Sequence, residues 1–139
     1  MSGVHVDPLE TALTRYFENR GTACAELSAV LDHFTDSPEL CKSAYRLQGA
    51  LQSCSMMSRR EEVDLSRLLL ALEREIAAGT LQRYVDDEYC MSGGGYETCL
   101  TEEARQLSKI ACPLRELQSA WARVQQAIAV DRELLRLRG

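Results

Sequence analysis

The sequence predicts an all-α protein: one domain over residues 1–139, built as a bundle of five to seven helices with a long C-terminal helix that Pro113 kinks or divides. Three observations predict it. Apolar residues recur three and four apart through most of the chain, the spacing of one helix face. Cap-then-proline starts and glycine stops punctuate that pattern, and no alternating strand pattern of useful length interrupts it. A chain of 139 residues with 45% hydrophobic and 27% charged residues has the make-up of one globular core.

The first helix is expected from Asp7-Pro8-Leu9-Glu10, with Asp7 as N-cap and Pro8 at the first helical position, where its missing N–H costs nothing. Gly21 is its natural stop. A second helix then starts at Thr22 and carries Cys24, Leu27, Val30, Leu31 and Phe34, unless the two are one kinked helix. Ser37-Pro38 repeats the start signal ahead of Leu40, Ala44, Leu47, Leu51 and Cys54 at 4-3-4-3 spacing. Ser58-Arg59-Arg60-Glu61 reads as a capping box opening the leucine-rich segment Val63 to Ala78, which Gly79 ends.

A shorter helix is expected from Thr80 to about Cys90, with Leu81, Tyr84, Val85 and Tyr89, followed by a flexible glycine-rich connection at residues 92–95. Helix resumes at Thr101-Glu102-Glu103, whose acids complement the dipole. Beyond Pro113, Leu114, Leu117, Trp121, Val124, Ile128 and Leu135 follow heptad spacing like that of a coiled coil, with Asp131 where an apolar residue belongs. A thirteen-residue step shared by Cys41 to Cys54 and Cys99 to Cys112 is not a repeat, because the residues between do not match.

Net charge is -5, and seven of the 21 acids fall in residues 1–40 against two bases. Nucleic-acid binding needs a concentrated basic face, and the nearest approach is the short cluster Arg132, Arg136 and Arg138, broken by Glu133. No nucleic-acid partner is expected. The first twenty residues lack the apolar core of a secretory signal, and no run approaches the length of a membrane span, so the expected location is the cytoplasm.

The stretch from Asp86 to Cys99 holds four acids, two cysteines and three consecutive glycines. Asp86 and Glu97 stand at positions 1 and 12 of a calcium loop, but Met91 occupies the position that needs glycine. A phosphate cradle fails because no lysine follows and Glu97, Glu102 and Glu103 would repel the ligand. Cys90, Cys99 and Cys112 are the candidate thiol or metal ligands, with Asp86, Asp87 or His33 as helpers, although the chain lacks any Cys-x2-Cys pair. Neither the paired Cys-x9-Cys nor the paired Cys-x3-Cys arrangement of twin-cysteine proteins is present; a Cys90–Cys99 bridge closing the loop is the one easy pairing. Cys112 would gain reactivity if a helix began at Pro113. Small apolar thiols packed between helices are the plainer account of Cys24, Cys41 and Cys54.

With two histidines, no nucleophile elbow and no dinucleotide fingerprint, no enzyme activity and no cofactor is expected. In size, acidity and lack of a catalytic constellation the chain resembles small bacterial secretion chaperones and regulatory adaptors, without sharing a motif with them. The sequence therefore points to a protein-interaction module that acts as an adaptor, an assembly subunit or a dedicated chaperone. Its partner is another protein or a second copy, held through Leu114, Leu117, Trp121, Val124, Ile128 and Leu135. The alternative is a cysteine-based redox or zinc-binding helical protein.

Overall fold

A computed structural model describes residues 7–53, 56–85 and 95–138. Four helices and one hairpin follow in order: α1 (Pro8–His33), α2 (Pro38–Gln52), α3 (Arg59–Ala78), β1 (Thr80–Val85), β2 (Gly95–Leu100) and α4 (Glu102–Arg138). The body is helical, as its periodicity requires, but the described residues hold four helices rather than five to seven.

At Gly21 and at Pro113 the chain takes the continuous alternative rather than the divided one, and α1 and the long C-terminal helix α4 each run as one element. α1 starts where Asp7 Oδ1 accepts the Leu9 N–H at 3.0 Å, and it runs unbroken through Gly21. Tyr16 and Ala23 lie seven residues apart, two helical turns, so Ala12, Tyr16, Ala23, Leu27 and Val30 form one buried stripe across the glycine. A glycine inside a helix costs about 1 kcal/mol. Fully burying each large apolar side chain contributes about 1.5–3 kcal/mol, and the stripe prevails.

The same comparison explains α4. Pro113 removes one backbone donor and costs about 3 kcal/mol in a helix interior. Leu107, Ala111, Leu114 and Leu117 are buried on both sides of it, and their summed burial exceeds that cost. The result is one helix of 37 residues, about 55 Å long at 1.5 Å per residue. Its N-terminus is set by Thr101, whose Oγ1 accepts the Ala104 N–H at 3.2 Å.

The segment expected as a short helix from Thr80 is a strand. β1 pairs antiparallel with β2, from Thr80 opposite Leu100 to Val85 opposite Gly95. Leu81, Tyr84 and Val85 fit a helix face over one turn, but Thr, Tyr and Val are also the residues that favour strands, and the pairing with β2 decides. Residues 92–94 of the glycine-rich connection lie outside the described residues, and Gly95 opens β2.

α2 and α3 begin where expected, at Pro38 and Arg59. The side chains of Ser37 and Ser58 make no capping hydrogen bond, so the capping box read at Ser58–Glu61 does not form. Both starts rest instead on backbone bonds from Cys41 N–H to Ser37 O and from Glu62 N–H to Ser58 O.

Neighbouring helices run antiparallel and close into a ring, α1–α2–α3–α4–α1. Gln48 of α2 reaches the Cys24 carbonyl of α1, Arg46 of α2 holds Asp64 of α3, and Gln118 of α4 reaches Ser66 of α3. Tyr16, Leu27, Leu47, Leu65, Leu68, Leu72, Leu114 and Leu117 fill the centre.

At one end the chain turns from α3 through the hairpin into α4, and Gly79 sits at the crossing. A Cβ there would stand 2.7 Å from the Ala104 Cβ and 2.8 Å from Thr101 Oγ1, so the site needs glycine for space. At Gly21 a Cβ would meet nothing within 4 Å. Gly79→Ala should therefore lower stability by about 1–3 kcal/mol through overpacking, whereas Gly21→Ala should raise it by about 0.5–1 kcal/mol. Urea midpoints of the two variants, shifting in opposite directions at unchanged slope, check both expectations.

Candidate interaction surface

α4 is divided between the core and the exterior. Leu114, Leu117 and Val124 are fully buried and Trp121 nearly so, which commits these four heptad positions to the chain's own core. Ile128 packs partly on that core, and Leu135 is 67% exposed. Of the six seam residues, only the last two reach towards solvent.

Trp121 is tied to two other helices. Its ring lies 5.1 Å from that of Tyr16 on α1, at an interplanar angle of 49°. Its indole N–H donates to Glu62 Oε1 on α3 at 2.7 Å, and Gln125 Nε2 donates to the same oxygen at 2.5 Å. A buried indole needs such an acceptor, and with it Trp121 serves as a pin between helices.

Tyr16 is fully enclosed. Burial pushes its hydroxyl above the ordinary value of 10.0; Arg20 and a backbone hydrogen bond at Met57 oppose the rise, and Glu61 adds to it.

Beyond Val124 the character of α4 changes. From residue 129 to 138 every position is exposed, and Val130 (53%), Leu134 (51%) and Leu137 (74%) are apolar. Together with Arg123 and Ala127 they stand at offsets 0, 4, 7, 11 and 14, a second helical stripe turned away from the buried one. Its near end forms one wall of a groove of about 510 Å³ between α4 and the start of α1, lined by Pro8, Ala12, Ala127 and Val130 together with Arg15, Arg123 and Asp131. A second groove of about 310 Å³ adjoins it and shares Arg15 and Arg123, with Glu18 and Glu116 in its walls.

No protein-family model matches the chain, and no curated protein or solved structure matches it. Its function has to be read from this surface and from the polar groups elsewhere in the bundle.

The polar groups between α2 and α3 are occupied structurally. Asp64 is 1% exposed, and Arg46 holds both its oxygens, Nε to Oδ2 at 3.1 Å and Nη2 to Oδ1 at 2.9 Å. Buried Ser43 beside it accepts from Arg67 Nη1 at 3.3 Å. This polar seam joins α2 to α3 and leaves no carboxylate open to a substrate. His33 lies edge-on against Phe34 in the last turn of α1.

The thiols are dispersed. Cys24 and Cys41 are half-buried and donate to the carbonyls of Gln48 and Phe34, at 3.9 and 3.1 Å. Cys99 is half-buried on β2 opposite Leu81, while Cys54 and Cys90 lie outside the described residues, and with Cys90 the proposed bridge to Cys99. Cys112 is exposed in the middle of unbroken α4, its Sγ 3.8 Å from Glu116 Oε1. The helix N-terminus that was to activate it begins instead at Glu102. Among the described residues no group of three His, Cys, Asp or Glu could hold a metal ion, and no helix is long and apolar enough to cross a membrane.

The second stripe is present in the sequence, hidden behind the stronger heptad. Its pairing with Pro8, Ala12 and Arg15 is not, because those residues meet α4 only when the ring closes.

Alkaline pH tests the enclosed Tyr16. A phenol whose folded-state pKa is raised stabilises the fold fully below its ordinary value, and that contribution is lost as pH climbs through the raised one. Stability should fall as pH rises above about 10, and Tyr16→Phe should flatten that alkaline limb, measured by urea unfolding across the range. An unchanged slope in the variant would place the loss elsewhere.

Proposed function

We propose that the protein is a non-enzymatic interaction module, of the class that includes adaptors, assembly subunits and dedicated chaperones, and that it binds another protein through the outer half of α4. One observation carries this reading. Val130, Leu134, Leu135 and Leu137 are half to three-quarters exposed and lie within eight residues at the end of a helix whose preceding turns are locked in the core.

Singly exposed apolar residues are ordinary on protein surfaces, but a cluster at one helix end marks a contact surface. Trp121 and Leu117 hold the near half in place and so fix the direction in which the far half leaves the bundle. Arg132, Arg136 and Arg138 interrupt the apolar positions, which favours a polar-rimmed contact with a partner over simple extension of the core.

The double variant Leu134→Glu, Leu137→Glu separates binding from folding. Both side chains lie outside the core, so its thermal midpoint and helical circular dichroism should match wild type, while association falls at least tenfold. Sedimentation over a concentration range measures association with a second copy, and affinity capture compared between wild type and variant measures it with another protein. Equal association by both chains in both assays would overturn the reading.

A further inference from the structure

Arg15 of α1 and Arg123 of α4 face the same space. Both line the larger groove and both line the adjoining one, so the pair marks the point where the two grooves meet. Neither makes a hydrogen bond or an ion pair with any described residue. The carboxylates that share these walls, Glu18 and Glu116 on one side and Asp131 on the other, form no ion pair with either arginine.

On one side of this pair the surface is apolar. Ala127 and Val130 continue through Leu134 to Leu137, and from Arg123 to Leu137 the stripe runs about 21 Å at 1.5 Å per residue. That length fits a helix laid into the groove rather than a compact small molecule. Ala12 and Ala127, short on both walls, let a helix backbone approach closely.

Whatever covers this groove must also cover two guanidinium groups against one carboxylate, Asp131, a net positive charge. Removing an unpaired charge from water without a counter-charge is strongly unfavourable, and a basic occupant would add repulsion. Guanidinium binds carboxylate through two parallel hydrogen bonds, and arginine is among the residues that dominate interfaces. We propose that the α1–α4 groove receives an acidic amphipathic helix of a partner protein, its apolar face on Ala127, Val130 and Leu134 and a carboxylate between Arg15 and Arg123. This rests on the reading of α4 as the docking element and specifies the partner's chemistry.

The test uses the full chain and a synthetic amphipathic helix of about four turns, with leucines on one face and glutamates beside it. Versions with glutamine or lysine in place of glutamate, and anionic phospholipid vesicles, are titrated in parallel. The glutamate peptide should bind at least tenfold tighter than the glutamine peptide, and the lysine peptide weakest. Arg15→Gln with Arg123→Gln should erase the preference for glutamate while leaving the melting temperature unchanged, and added salt should weaken the glutamate peptide most.

Equal binding of glutamate and glutamine peptides, with loss of both in Leu134→Glu, Leu137→Glu, would overturn the acidic partner and leave the docking element standing. Peptide binding untouched by Leu134→Glu, Leu137→Glu would overturn the docking element itself. Binding to vesicles and to none of the peptides would overturn the proposal in favour of a membrane surface.

Discussion

The bundle depends on closing its first helix against its last, and the contact of Tyr16 with Trp121 is where that closure is most specific. Each ring removes roughly 150–250 Å² from water, and a tilted aromatic pair adds about 0.5–1.5 kcal/mol beyond the burial. Such a gain requires the indole N–H to keep an acceptor, because a buried donor left without one costs about 1–3 kcal/mol. Glu62 supplies the acceptor from α3, so one side chain couples three of the four helices. Continuity of α1 across Gly21 and of α4 across Pro113 follows from the same need: both helices must present unbroken stripes for the ring to close.

Closure also decides what α4 has left to offer. Its stripe from Leu107 to Val124 is consumed by the core, and the polar seam of Arg46, Asp64, Ser43 and Arg67 fixes α2 to α3 on the far side. The bundle is complete before α4 ends. The remaining turns carry leucines that the core does not use, beside a groove whose two arginines have no partner among the described residues. Exposed apolar side chains and unpaired arginines therefore lie together at one end of the α1–α4 interface, opposite the end where Gly79 and the hairpin pack.

Much of this was legible in the sequence, and what was not has physical causes. The starts at Asp7-Pro8, Ser37-Pro38 and Thr101 and the stop at Gly79 are local signals, and local structure obeys them. Gly21 and Pro113 are breakers by propensity, yet each is outweighed by several buried side chains on either side, a comparison that needs the tertiary partners. The strand at Thr80 depends on β2, whose paired residues lie ten to twenty positions further along the chain. The heptad of Leu114, Leu117, Trp121 and Val124 announces an apolar seam without naming what covers it, and the answer is α1 and α3. Arg15 and Arg123 are separated by most of the chain, and nothing in their local sequence signals that they share a groove.

α4 is one helix with a core-bound near part and an uncovered far part. Hydrogen–deuterium exchange of the isolated chain, resolved by residue, tests it most directly. Amides from about Leu107 to Val124 should exchange only through global unfolding, while those from residue 131 onward should exchange orders of magnitude faster. Protection of the last two turns equal to that of the core segment in the isolated monomer would contradict the account, because it would mean that the chain itself already covers them.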